Sequence, residues 1–136
     1  MRESSFSQLL RIHLTKHGHW TRVENVCVSG MPDINMFING RDVWIETKIS
    51  KGNRIIFEQS QNTWHLKRAR WGGDHIVLTR HKDTTIVSAM SAMVKAFVWY
   101  GTHKPYVAAQ DAIRDALWTS EKPMDWDRLL STVKSF

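Results

Sequence analysis

The stretch Met31–Ile49, MPDINMFINGRDVWIETKI, restricts the fold more than any other part of the chain. Two runs rich in β-branched and aromatic residues flank Asn39-Gly40. Asn-Gly is the pair preferred in a two-residue type I′ turn, because both turn residues take φ > 0. The pattern predicts a β-hairpin in which Ile38 faces Arg41 and, farther out, Asp33 faces Glu46. A four-residue loop closed by Phe37 and Asp42 keeps that register, and a bulged three-residue loop breaks it.

Side chains alternate along a strand, so the two faces can be written down. Ile34, Met36, Ile38, Val43, Ile45, Thr47 and Ile49 share one face, which is expected to pack on a helix. Asp33, Asn35, Phe37, Asp42, Trp44, Glu46 and Lys48 share the other. That second face gathers two carboxylates and a lysine at one end. Opposed Cβ atoms on paired strands lie about 4.5–5.5 Å apart, and like charges there are destabilising. Asp33 against Glu46 therefore asks for a compensating cation. Two hard oxygen donors at that separation suit Mg²⁺, which takes one or two carboxylates and keeps several waters. Lys48 is on the same face, in reach of whatever the ion holds. The acidic end follows Gly30-Met31-Pro32, a stretch suited to a close approach of backbone.

Pro32-Asp33 followed by Glu46-Thr47-Lys48 resembles the PD-(D/E)xK nuclease signature. More narrowly, over about residues 3–80, the chain is similar to the virus-type replication-repair nuclease (VRR-Nuc) branch. Gly30-Met31-Pro32-Asp33 matches that branch's opening motif. Glu46-Thr47-Lys48 matches its E-hydrophobic-K strand, with Thr in place of the usual Val, and Gln61-Asn62-Thr63-Trp64 matches its Q-x-x-W helix. The resemblance implies an α/β fold with a restriction-endonuclease-like core: a mixed β-sheet flanked by helices. It also implies metal-dependent hydrolysis of DNA phosphodiesters to 5′-phosphate and 3′-hydroxyl products. Asp33, Glu46 and the Thr47 carbonyl would hold Mg²⁺ or Mn²⁺, Lys48 would position the attacking water, and Gln61 would lie beside that lysine. The branch carries a Glu at the start of its first helix, and Glu3 matches its offsets to the following hydrophobics. Glu24 is the alternative.

Charge supports a polyanion partner. The 136-residue chain carries a formal charge of +6. Residues 1–82 hold 13 basic and 7 acidic side chains, whereas residues 83–136 hold 6 of each. The positive excess lies in the half that carries the candidate site, as nucleic-acid binding requires. Hydrophobic content of 42% with 24% charged residues belongs to a globular domain. The single cysteine, Cys27, excludes a disulfide framework and a cysteine zinc cluster. No apolar run reaches membrane-span length, and MRESSFSQLL lacks a signal-peptide pattern, so a cytoplasmic setting without membrane contact is expected. The scattered histidines read as surface or phosphate-facing residues. There is no P-loop or Gly-rich dinucleotide fingerprint, hence no nucleotide cofactor.

In chain order, residues 3–17 read as an amphipathic helix with Phe6, Leu10 and Leu14 on its stripe. Glu3 falls on that stripe, but Ser5-Phe6-Ser7-Gln8 fits a capping box that would start the helix at Ser5. Trp20–Val28 reads as a strand. Ser50–Arg54 is a basic loop that places Lys51 and Arg54 to touch phosphates. Glu58–Trp71 is predicted helical, with Lys67, Arg68 and Arg70 making its exposed surface positive. His75–Arg80 and Thr84–Val87 read as strands. Residues 1–88 are read as the nuclease core that the resemblance implies. Residues 89–136 read as a helical extension packed on the same domain, with helices at Ala89–Tyr100, Tyr106–Trp118 and Met124–Val133.

A chain this small has no evident recognition domain, which favours reading DNA shape over base sequence. The expected activity is structure-selective endonucleolysis of branched DNA, with Holliday-junction resolution first and the chain acting as a homodimer. A restriction-type or flap nuclease, a non-catalytic DNA-binding module and an RNA nuclease are the alternatives.

Overall fold

The computed structural model describes residues 1–23, 29–101 and 104–136. In chain order its helices are α1 (Glu3–Leu14), α2 (Gln59–Ala69), α3 (Met90–Lys95), α4 (Ala109–Asp115) and α5 (Trp126–Ser135). The strands are β1 (His19–Arg22), β2 (Ile34–Ile38), β3 (Arg41–Ile49), β4 (Arg54–Ile56), β5 (Ile76–His81), β6 (Thr84–Ala89), β7 (Val98–Tyr100), β8 (Lys104–Ala108) and β9 (Trp118–Glu121).

The Asn-Gly turn sets the hairpin. Asn39 and Gly40 have φ of 52° and 72°, as a type I′ turn needs. Ile38 pairs with Arg41, Phe37 with Asp42 and Ile34 with Ile45, the expected register. Six strands then form one mixed sheet in the order β1-β2-β3-β5-β6-β9. β5 lies parallel to β3, and every other pair in that sheet is antiparallel. A parallel neighbour needs a crossover, and α2 lies in the one that joins β3 to β5. β4, β8 and β7 form a second, three-stranded sheet.

Two apolar clusters cover the faces of the main sheet. Phe6, Leu10 and Leu14 of α1 and Leu129 and Val133 of α5 pack against Ile34, Met36, Ile45 and Leu78. On the opposite face, Val77 and Ile86 meet Ile55, Phe57, Met90, Met93 and Val107. With both faces covered, five of the six residues of β5 are buried, Thr79 and Arg80 among them.

Several local expectations are corrected. α1 begins at Glu3, with Arg2 as its N-cap and no capping box at Ser5. Starting two residues earlier gains the bond from the Phe6 N–H to the Arg2 carbonyl, 3.0 Å. α1 also stops at Leu14, short of residue 17. Glu3 lies on the exposed part of the first turn, not on the buried stripe. The expected first strand is described as His19–Arg22, and Glu24 and Cys27 lie outside the described residues.

The expected helices at Ala89–Tyr100 and Tyr106–Trp118 shrink to α3 and α4, and β7, β8 and β9 take the rest. Val98-Trp99-Tyr100 is aromatic and β-branched, a strand composition. In β8, Pro105 and Val107 are buried in alternation with their neighbours. Ile55 of β4 pairs with Val107. Val87 of β6 pairs with Trp118 of β9, so the segment past residue 89 joins both sheets. Finally, His65 and His75 are each 3% exposed, against the expectation of surface histidines. Burial first, and then the neighbouring His65, pushes His75 down to about 3, and burial lowers His65 too, so both rings are neutral at physiological pH.

Candidate active site

The hairpin register brings Asp33 beside Glu46, at the place where β2 ends and the edge of β3 is uncovered. The Asp33 backbone N–H donates to Glu46 Oε2 at 3.2 Å. Asp33 Oδ2 in turn accepts the Thr47 backbone N–H at 3.1 Å and the Thr47 hydroxyl at 2.7 Å. The aspartate side chain thus satisfies a strand N–H that β2 no longer reaches. Glu46 and Lys48 point to the sheet face covered by α2, and are 4% and 8% exposed.

Gln61 ties this group to α2. Its Nε2 donates to Glu46 Oε1 at 2.6 Å, and its Oε1 accepts from Lys48 Nζ at 2.9 Å. The same Oε1 accepts the Glu58 backbone N–H at 2.9 Å, closing a capping box whose other half is the Glu58 side chain. One amide therefore starts the helix and spaces a carboxylate from an ammonium, the two lying 3.9 Å apart. Lys48 Nζ also stands 4.7 Å from the centre of the Phe57 ring, a cation–π contact that sequence reading missed. Phe57 directly precedes the Glu58 cap, but no spacing rule marks it.

The electrostatics are those of an excess negative charge. Burial first, then the Asp33 carboxylate and more weakly Glu3, push Glu46 up to about 8 against the pull of Lys48. Glu3, although exposed, is close enough to act on Glu46. A divalent cation among these oxygens would reverse that shift, so the donor set fits a hard ion. Because folded Glu46 holds its proton more tightly than the unfolded chain does, the folded state carries the extra proton between about pH 4.5 and 8. Stability of the metal-free chain should fall as pH rises through that window. Thermal melts in chelator should show the decline in the natural chain and a flatter profile in Glu46→Gln. Equal slopes would refute this assignment.

No protein-family model matches the chain, and no curated protein does. Among solved structures, it is similar to the 1.6 Å structure of Archaeoglobus fulgidus Hjc, a Holliday junction resolvase from an archaeal hyperthermophile. The TM-score is 0.56 at 18% identity, over 80% of this chain and 90% of that one. The fold is restriction-endonuclease-like. The narrower VRR-Nuc likeness rests on the sequence motifs alone.

The five basic residues expected at DNA are all exposed but lie on different elements. Lys51 opens the turn after β3, and Arg54 starts β4 with its guanidinium 4.4 Å from the Tyr106 ring centre. Lys67 and Arg68 lie on α2, and Arg70 caps it. Arg68 stands over Trp64 at 4.9 Å and over Trp44 at 5.8 Å. Lys67, Arg68 and Trp71 line a groove with Ser29, Ser60 and Trp64. Among the described residues, no helix is long and apolar enough to cross a membrane.

Proposed function

We propose that this chain is a metal-dependent, structure-selective DNA endonuclease acting first on four-way junctions. The observation that carries the reading is the bonded cluster of Asp33, Thr47, Glu46, Gln61 and Lys48, set at a hairpin end within a restriction-endonuclease-like fold. Asp33, Glu46 and the Thr47 carbonyl would hold Mg²⁺ or Mn²⁺, with Glu3 acting directly or through water. When bound, such an ion polarises the phosphoryl oxygen and lowers the pKa of a coordinated water. Lys48, oriented by Gln61 and Phe57, positions the attacking water and offsets charge gathering on the phosphate. Gln61 keeps that ammonium from collapsing onto Glu46.

Lys51, Arg54, Lys67, Arg68 and Arg70 supply phosphate contacts. Trp71, 91% exposed beside them, favours DNA with unpaired or unstacked bases over plain duplex, because an exposed indole gives a base a stacking surface. The working unit in this reading is a homodimer presenting two sites. The exposed edge strand Val98–Tyr100 offers apolar surface for it.

The test is purified protein with Mg²⁺ or Mn²⁺ on matched four-way junction, flap, linear duplex, single-strand and RNA substrates. Junction cleavage by paired nicks is expected. Cutting of linear duplex at fixed sites would favour a restriction-type enzyme, and cutting of RNA alone would overturn the DNA assignment. Trp71→Ala should weaken binding to substrates with unpaired bases by about 1–3 kcal/mol and leave duplex affinity unchanged. Fluorescence anisotropy on the same panel reads both.

A further inference from the structure

One turn along α2 from Gln61, His65 faces the start of β5 and meets Asp74 and His75. One ring nitrogen of each histidine and one carboxylate oxygen of Asp74 lie within 4.8 Å of one another. His65 Nδ1 is 3.8 Å from Asp74 Oδ1, too far for a hydrogen bond. The Nδ1 atoms of both histidines are buried and have no hydrogen-bond partner. Buried side-chain nitrogens nearly always have a partner, so two orphans in one cluster indicate that something else binds there.

The surroundings suit a ligand that takes electron pairs. Asp74 is held rigidly: Oδ1 accepts the His75 N–H at 2.9 Å and the Ser91 N–H at 3.1 Å, and Oδ2 accepts the Ser91 hydroxyl at 2.5 Å. Such bonds orient a ligating carboxylate and leave its charge in place. The two imidazoles meet edge to face with centroids 5.5 Å apart, and Trp64 closes the other side of His75 at 5.6 Å. The Asp74 side chain is 28% exposed, which gives an ion a way in and a water a place to stand.

We propose that His65, Asp74 and His75 bind a divalent transition-metal ion of the zinc class, separate from the ion assigned to Asp33 and Glu46. Two imidazoles and a carboxylate suit Zn²⁺, whereas Mg²⁺ prefers oxygen donors alone. Three protein ligands with water in the fourth position complete a tetrahedron. Zinc ligands stand about 2.0–2.2 Å from the ion and so roughly 3.3 Å from one another. The cluster reaches that spacing by closing at most about 1.5 Å. The ion would tie α2 to β5 and, through Ser91, to α3, holding the helix that presents Gln61. The site stands on its own geometry and does not depend on the nuclease reading.

The test is titration of the chelator-stripped full chain with Zn²⁺ alone by calorimetry, with metal content measured after dialysis. One equivalent per chain and a rise in Tm of at least about 5 °C are expected. Co²⁺ in place of Zn²⁺ should give the visible absorption of a tetrahedral ion. His65→Gln and His75→Asn should each weaken binding at least about 10-fold. Asp33→Asn should leave it unchanged. Should a histidine variant fail to fold, the Zn²⁺ stoichiometry and Co²⁺ spectrum of the natural chain remain decisive. A folded natural chain that takes up no Zn²⁺ would overturn the proposal. So would uptake that survives both histidine substitutions, or uptake lost in Asp33→Asn alone.

Discussion

Asp33→Asn and Glu46→Gln are each expected to lower Mg²⁺-dependent cleavage by about 1000-fold or more, with DNA binding kept and still sensitive to salt. Each substitution removes one of the two carboxylates proposed to hold the ion. If the bound ion supplies several kcal/mol of stabilisation to the charge in flight, its loss removes about one decade of rate for each 1.36 kcal/mol. In the proposed function DNA affinity rests mainly on the basic side chains, so it should hardly move. The two variants differ in a way that checks the geometry. Asn at position 33 keeps an acceptor for the Thr47 N–H and hydroxyl, so its fold should be unaltered. Gln at position 46 removes a buried charge held near its neutral form, so the metal-free protein should gain stability at about pH 8. Single-turnover cleavage, anisotropy at two salt concentrations and thermal melts measure all three quantities. Turnover equal to the natural chain in either variant would remove the metal site from Asp33 and Glu46.

Gly30→Ala is the second large effect, and it acts on structure. Gly30 has φ +85°, where residues with a Cβ are strained. A Cβ there would also stand 2.0 Å from the Ser60 carbonyl oxygen and 2.8 Å from the Gln61 nitrogen. These are backbone atoms in the first turn of α2, so relief requires moving the helix start or the loop that carries Asp33. Destabilisation of about 3–5 kcal/mol is expected, with loss of cleavage even in the fraction that folds. Gly40→Ala is the control. It shares the left-handed backbone, at φ +72°, but a Cβ meets nothing within 4 Å, and the cost should stay near 1–2 kcal/mol. Urea denaturation of the three proteins separates contact from backbone strain. Equal losses in both variants would show that the closeness of Gly30 to α2 carries no energy.

The parts legible in the sequence are those set by short-range chemistry. Asn39-Gly40 determines a turn, the turn determines a register, and the register brings Asp33 to Glu46. Gly30-Met31-Pro32 signals a tight approach of backbone. The parts that were not legible depend on partners far along the chain. Residues 90–98 satisfy a helical spacing through Met90, Met93, Val94, Phe97 and Val98. Yet Val98 ends up opposite Tyr106 in a strand pair. Ile55 finds its mate at Val107, far along the chain. Strand preference is largely a preference for what lies alongside, and local patterning does not contain it. The meeting of His65 with Asp74 and His75 has the same character. α2 contributes His65, the segment just ahead of β5 contributes Asp74 and His75, and no fixed spacing announces them.

Gln61 closes the cap of α2 and stands between Glu46 and Lys48 with the same amide. Order in the first turn of that helix and order among the charged groups are therefore linked. Amide protons there should exchange with solvent more slowly whenever a cation or a phosphate quiets the carboxylates below. Deuterium uptake in one short peptide would thus register occupancy of the cleft before any bond is cut.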